Sequence, residues 1–189
     1  QATKIDIPPV SGSTRYDFAQ DINYYSNGQL ASFTYGNGVE YTSSQLNDAK
    51  LPSSIKSNKG GNYIVDLRYT YDDNANVTSI IDGQNSAFSL TNLQYDGLDR
   101  LTSTTGGSGI GSSLMQYDSF GNITYYRSKN RTNDYSYDYS TNMLLSVSST
   151  GSDAKNYTSF QNDGRGNIIN NSHQVMEYNL ANQMTSAKG

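Results

Sequence analysis

The sequence predicts an all-β fold: antiparallel β-hairpin repeats of about 22 residues each, forming a curled strip or β-solenoid. Three observations carry this expectation. The composition is rich in tyrosine and small polar residues, a Tyr-Asp motif returns eight times, and the segments leading into the motif alternate with period two.

At 189 residues the chain is long enough for one domain with a full core, yet only 34% of it is hydrophobic. There are 17 tyrosines against 5 phenylalanines and no tryptophan, and charged residues stand at 16%. That charge content is below the roughly 25% usual for globular domains, so Ser, Thr, Asn and Gly fill the place of the missing apolar residues. Disorder requires high net charge and few aromatics, and neither holds. Tyr and Thr suit a pleated, half-buried surface, which favours ordered β structure.

Aligned on Tyr, Asp, two variable residues, Gly, Asn or a basic residue, then an aliphatic one, the copies are YYSNGQL, QLNDAKL, YDDNANV, YDGLDRL, YDSFGNI, YDYSTNM, NDGRGNI and YNLANQM. They start at Tyr24, Gln45, Tyr71, Tyr95, Tyr117, Tyr137, Asn162 and Tyr178. Residues 1–19 are read as a partly extended lead-in, and residues 20–189 as the repeat strip. In YIVDLRYTYD, Tyr63, Val65, Leu67, Tyr69 and Tyr71 share one face while Asp66, Arg68, Thr70 and Asp72 share the other, as on a half-buried strand. Short β-compatible runs such as LTST, ITYY and VTSII follow the motif, so each unit reads strand, turn, strand.

The motif itself is turn chemistry. Asp at the first position of a type I turn accepts hydrogen bonds from backbone amides two or three residues on, and a following Gly or Asn takes the left-handed conformation that closes a bulged hairpin. Asp72, Asp96, Asp118 and Asp163 are therefore expected to hold their turns, and Gly28, Gly121 and Gly166 to need positive φ. In YDGLDRL, Asp99 stands where other copies have glycine. Asp96 and Asp99 could be an acid and base pair, but most copies lack the second carboxylate, which favours the turn.

No catalytic, metal or cofactor site is expected. There is no cysteine, and the single His173 has no second imidazole to share a metal, so it is read as a surface residue. GGSGIGSS at 106–113 lacks the lysine of a phosphate loop and falls between two strands, which favours a flexible connection. The net charge of -4 gives no reason to bind nucleic acid or an anionic membrane, and Arg127, Lys129 and Arg131 are read as a solvated loop. No apolar run approaches the 18 residues of a membrane span, and a chain opening at Gln1 without a charged-then-apolar leader reads as part of something longer. Five Asn-x-Ser/Thr sequons, at Asn76, Asn122, Asn130, Asn156 and Asn170, read as incidental.

The YDxxGN and YDxxDRL patterns, the Leu-Thr-Ser that follows them and TYGNGVEY at 34–41 resemble the YD repeats of the Rhs/YD-repeat family over about residues 20–189. The resemblance implies hairpin strips that spiral into a hollow shell around a polymorphic toxin, as in bacterial secreted toxins, Tc toxin cocoons and animal teneurins. It implies as partners the remainder of a parent shell and the enclosed toxin, and a secreted or cell-surface bacterial setting. The family's Asp-Pro-rich core motif is absent, since Pro occurs only at positions 8, 9 and 52, so neither self-cleavage nor a toxin is carried over.

Dimensions limit what this piece does alone. Roughly 16 strands at about 4.8 Å make a ribbon on the order of 77 Å long, which closed into a ring has a radius of roughly 12 Å. A folded domain of about 100 residues has a radius of gyration near ~13 Å, so the chain fits as part of one turn of a larger shell. The alternative function is a carbohydrate-binding or adhesive cell-surface protein, with Tyr24, Tyr71, Tyr95, Tyr117, Tyr137 and Tyr178 stacking on sugars. Against it, these repeat tyrosines are expected to stack on one another from repeat to repeat.

Overall fold

A computed structural model describes residues 1–7, 16–46 and 50–189. The chain divides into two compact units, Gln1–Gly111 and Ser112–Gly189. Both are built from antiparallel strands. The one helical element among the described residues is a 3-10 turn at Ser86–Phe88.

The first unit contains β1 (Ile5–Ile7), β2 (Tyr16–Tyr24), β3 (Leu30–Tyr35), β4 (Glu40–Gln45), β5 (Pro52–Lys59), β6 (Asn62–Tyr71), β7 (Val77–Asp82), β8 (Leu90–Tyr95) and β9 (Leu101–Gly106). Each pairs with the next in chain order, so the sheet is an open meander of hairpins. A single sheet layer has no second layer to bury a face against. Burial is accordingly thin: Ala19, Ile22 and Leu93 are its buried apolar residues, while β3 and β7 are half-buried along their whole length.

The second unit holds β10 (Ser113–Tyr117), β11 (Ile123–Arg127), β12 (Thr132–Asp138) and β13 (Met143–Thr150), again paired in chain order. A further meander follows, formed by β14 (Gln161–Asn162), β15 (Ile168–Asn170), β16 (Val175–Tyr178) and β17 (Met184–Lys188). Tyr157 exchanges backbone bonds of 2.8 Å with Val147, and Phe160 N donates to Leu145 O at 3.1 Å, so residues 157–160 line the free side of β13. The buried polar residues Asn133 and Ser149 satisfy each other: Ser149 Oγ donates to Asn133 Oδ1 at 2.9 Å, and Asn133 Nδ2 to Tyr135 Oη at 2.9 Å.

The repeat register read from sequence reappears as a register of bulges. Pairing slips by one residue at Asn23/Tyr24, Ser44/Gln45, Thr70/Tyr71 and Gln94/Tyr95 in the first unit. It slips at Gln116/Tyr117, Ser136/Tyr137, Gln161/Asn162 and Glu177/Tyr178 in the second. All eight motif starts thus sit on a bulge, because a turn closed by a left-handed residue adds one unpaired residue to its hairpin. Residues 47–49 of the copy from Gln45 lie outside the described residues.

Two local features depart from expectation. On β6, Val65, Leu67, Tyr69 and Tyr71 are half-buried and Arg68 and Thr70 exposed, as alternation requires, yet Asp66 is only 4% exposed, and Tyr63, expected on the half-buried face, is 46% exposed where the strand leaves its hairpin turn. The glycine-rich loop after β9 is packed rather than free. Gly107 N donates to Ser89 O and Gly109 N to Ala87 O, both at 2.9 Å, and a Cβ on Gly107 would lie 2.5 Å from Ser86 O. Its glycines are there for close approach to the 3-10 turn.

Candidate functional site

The candidate site is the repeated turn and the contacts it makes with its neighbours. At Asp72, Asp96, Asp118 and Asp163 the local wiring is the same. The Asp N–H donates to the carbonyl four residues on at 2.9–3.0 Å, and its carbonyl accepts from the residue three on at 3.0–3.2 Å. Its Oδ1 accepts two backbone amides, those of Asn74 and Asn76, Leu98 and Arg100, Phe120 and Asn122, or Arg165 and Asn167, at 2.8–3.1 Å. The closing residue has positive φ: 85° at Gly28, 89° at Gly121 and 88° at Gly166. Ala75, Asp99 and Asn182 fill the same position at φ 69°, 57° and 57°.

Four residues after each Asp, a side chain returns to the second carboxylate oxygen. Asn76, Asn122 and Asn167 do so through Nδ2 at 2.9–3.1 Å, and Arg100 through Nε at 2.8 Å and Nη2 at 2.7 Å. Hydrogen bonds to the ionised form hold these acids below the usual carboxylate range. Arg100 is the main cause at Asp96, Asn122 at Asp118, Asn167 at Asp163 and the Ser140 side chain at Asp138. At Asp72 desolvation pushes upward and is outweighed by Asn76 and Asn74.

These depressed values set a pH dependence. A carboxyl whose folded pKa lies below its unfolded value of about 3.9 contributes stability above that pH and loses it as pH falls through the folded pKa. The melting temperature should therefore hold above about pH 5 and fall below about pH 4. Asp118→Asn should keep its turn, since Asn179 Oδ1 already accepts from Ala181 N at 2.9 Å and Gln183 N at 3.1 Å in the same role. Its melting curve should be flatter in acid than the parent's; an identical acid limb would remove Asp118 from the explanation.

Two devices join one repeat to the next, and neither was visible in the motif. The first is a tyrosine latch: the hydroxyls of Tyr71, Tyr95 and Tyr137 donate to the carbonyls of Pro52, Val77 and Ile123 at 2.8, 2.8 and 3.0 Å. Each acceptor is the first residue of the preceding repeat's return strand. Coupling at these three positions runs through the hydroxyl rather than through ring stacking. Desolvation raises all three phenol pKa values. Tyr95→Phe should cost about 1 kcal/mol in urea unfolding, since the Val77 carbonyl loses a partner at a half-buried site. The preference for Tyr over Phe at the motif start was the available sequence signal.

The second device is an amide ladder along the turns. Asn76 Nδ2 reaches Asp99 Oδ1 in the next turn at 2.8 Å, joined there by Asn74 Nδ2 at 3.1 Å. Asn122 Nδ2 reaches Asn142 Oδ1 at 2.6 Å, and Asn167 Nδ2 reaches Asn182 Oδ1 at 3.1 Å. Asp96 is thus committed to its own turn and Asp99 to the turn before it, and the two do not converge as an acid and base pair. Tyr24, Tyr117 and Tyr178 each stand at the end of a strand, and each is half-buried.

His173 is exposed, but its Nε2 lies 2.6 Å from Asn156 O and its ring meets Tyr157 edge-on at 5.0 Å, fastening residues 156–157 to the turn before β16. Among the described residues no group of three or more His, Cys, Asp or Glu side chains could hold a metal ion, and no helix is long and apolar enough to cross a membrane.

No protein-family model matches the chain, and no curated protein matches it in sequence. Solved structures do match in fold. A TcdB2-TccC3-Cdc42 crystal structure is 19% identical with a TM-score of 0.61, and a Photorhabdus luminescens Tc holotoxin pore is 18% identical with a TM-score of 0.62; each match covers 95% of this chain. A TcdB2-TccC3 crystal structure is 20% identical with a TM-score of 0.60. The chain spans about 10% of each of these partners' length. The fold is shared with Tc toxin proteins, in keeping with the YD-repeat resemblance.

Proposed function

We propose that this chain is a wall segment of a hollow β-shell that encloses or presents a toxin, working as structure and carrying out no catalysis of its own. The observation that carries the reading is the double coupling between repeats, by tyrosine latch and by amide ladder. A strip in which neighbouring units repeatedly offer one another backbone and side-chain acceptors can be lengthened without a separate core, as in other repeat architectures. Residues 20–189 would act as one strip, within a larger secreted or cell-surface bacterial protein, with the rest of that shell and its toxin as partners.

The adhesive alternative draws less support, because the hydroxyls of Tyr71, Tyr95 and Tyr137 are already engaged by the strip's own backbone. Electron cryo-microscopy of the full-length parent protein tests the proposal. The expected result is a hollow body with residues 20–189 in its wall and an enclosed, protease-protected segment. A solid or extended parent, with this strip standing apart from any cavity, would overturn it.

A further inference from the structure

Two turns of the first unit close without an aspartate at their head. Tyr25 heads the turn between β2 and β3, and Tyr35 the turn between β3 and β4. The backbone wiring matches the Asp turns. Tyr25 N donates to Gln29 O and Tyr35 N to Val39 O, both at 2.8 Å, while Gly28 N returns to Tyr25 O at 2.9 Å and Gly38 N to Tyr35 O at 2.8 Å. With no carboxylate at the head, the backbone amide four residues on takes another acceptor: Asn27 Oδ1 accepts from Gln29 N and Asn37 Oδ1 from Val39 N, both at 3.0 Å.

That exchange creates a reactive pair twice. Asn27-Gly28 and Asn37-Gly38 are the two Asn-Gly steps of the sequence, and all four residues are exposed. An asparagine side-chain carbonyl carbon and the next backbone nitrogen can close a five-membered ring, and glycine, without a Cβ, neither shields that nitrogen nor restricts the rotation that brings it round. In the closed turn the Gly N–H is held by the Tyr carbonyl, so the nitrogen attacks only when the turn opens.

We propose that Asn27 is a self-modification site, converted to aspartate and isoaspartate as its turn opens, and that it reacts ahead of Asn37. Gly28 N gives up its proton and attacks Asn27 Cγ; a C–N bond forms there, and the side-chain nitrogen takes a proton back and leaves as ammonia. One water then opens the succinimide at either carbonyl, so the whole conversion exchanges ammonia for water with no oxidant or reductant. The order follows from bracing. Gly36 N donates to Phe18 O at 3.0 Å, and the Tyr35 ring meets Phe18 and Phe33 edge-on, which ties the Asn37 turn to β2. The Asn27 turn instead closes a hairpin whose pairing slips twice, between Gln20 and Asn23 and again at Tyr24. The aspartate product keeps the acceptor for Gln29 N, whereas isoaspartate runs the main chain through Cβ and removes it. This goes beyond the shell reading and does not depend on it.

The test is incubation of the purified chain at mildly alkaline pH, folded in buffer and unfolded in urea, beside Asn27→Ser and Asn37→Ser. Isoaspartate is located by peptide mass spectrometry and counted by methyl transfer from an isoaspartyl-specific methyltransferase. In buffer, residue 27 should react about fivefold faster than residue 37, the ratio set by about one hydrogen bond of difference in opening. Asn27→Ser should remove most of the signal and Asn37→Ser little of it. In urea the two sites should react at equal rates, both faster than in buffer. The proposal is overturned if residue 37 reacts as fast as residue 27 in buffer, or if residue 27 reacts no faster than Asn122, which precedes an isoleucine. Equal rates at residue 27 in buffer and urea would also overturn it, because turn opening would then not control the step.

Discussion

Gly151→Val is expected to unfold the Ser112–Gly189 unit at temperatures where the parent chain remains folded. At φ 111° the residue lies outside the conformations that side chains accept, and a Cβ there would overlap the Asn130 carbonyl oxygen. It would also lie 3.0 Å from the Asn130 carbonyl carbon and 3.1 Å from Arg131 Cα. Every one of these atoms is backbone, so no rotamer change relieves the contact. Strain of about 1 kcal/mol for the dihedral and about 1–3 kcal/mol for overpacking make a loss of roughly 3 kcal/mol. Gly121 is the internal comparison: at φ 89° it has nothing within 4 Å of a built Cβ, so Gly121→Val carries the dihedral cost alone. That cost exceeds about 1 kcal/mol for a β-branched residue. Gly121→Asn should be nearly neutral, because Asn182 holds the equivalent position at φ 57°. Thermal unfolding followed by circular dichroism should rank the variants Gly151→Val, Gly121→Val, Gly121→Asn, from least to most stable. Equal melting points for the two valine variants would show that the Asn130 contact relaxes freely.

What the sequence made legible was what a few consecutive residues decide. At Asp72, Asp96, Asp118 and Asp163 the Asp, a left-handed position three residues on and a side chain that returns to the Asp lie within five residues of one another, so these four turns could be placed before any strand was paired. The latch and the ladder were not legible, because Tyr95 meets Val77 and Asn76 meets Asp99 only after the strip has fixed its inter-repeat register. Asp66 was misjudged for the same reason. Period-two alternation put it on the polar face, but whether that face is wet depends on Lys56 from the neighbouring strand and Gly83 from the following loop. His173 illustrates the reverse case, a residue rightly read as exposed whose structural contact with Asn156 spans 17 positions.

Asp66 also carries the largest expected loss in the first unit. Its carboxylate, with the side chain 5% exposed, meets Arg68 Nη2 at 2.6 Å and Nε at 3.3 Å, and Lys56 Nζ at 3.7 Å. Gly83 closes over it: Gly83 N donates to Asp66 O at 2.7 Å, and a Cβ at Gly83 would lie 2.5 Å from Oδ2. The Arg68 hydrogen bonds outweigh the desolvation of this site and hold the carboxyl below its usual range. Removing one partner of a buried ion pair costs about 3–5 kcal/mol when the other stays buried. Here the Lys56 and Arg68 side chains are 29% and 57% exposed and recover water, which reduces the expected loss for Asp66→Ala to about 2 kcal/mol. Asp66→Asn keeps the volume and one acceptor, so urea unfolding at pH 7 should place it between Asp66→Ala and the parent. Because the folded pKa is lowered, the ionic part of this stability is present above about pH 4 and disappears as pH falls through the folded value, so the parent and Asp66→Asn should converge in acid. If Asp66→Ala proved as stable as the parent at pH 7, the attraction to Arg68 and Lys56 would only repay the desolvation of the carboxylate, and the cluster would fix the register of β5, β6 and the Gly83 loop without adding to their stability.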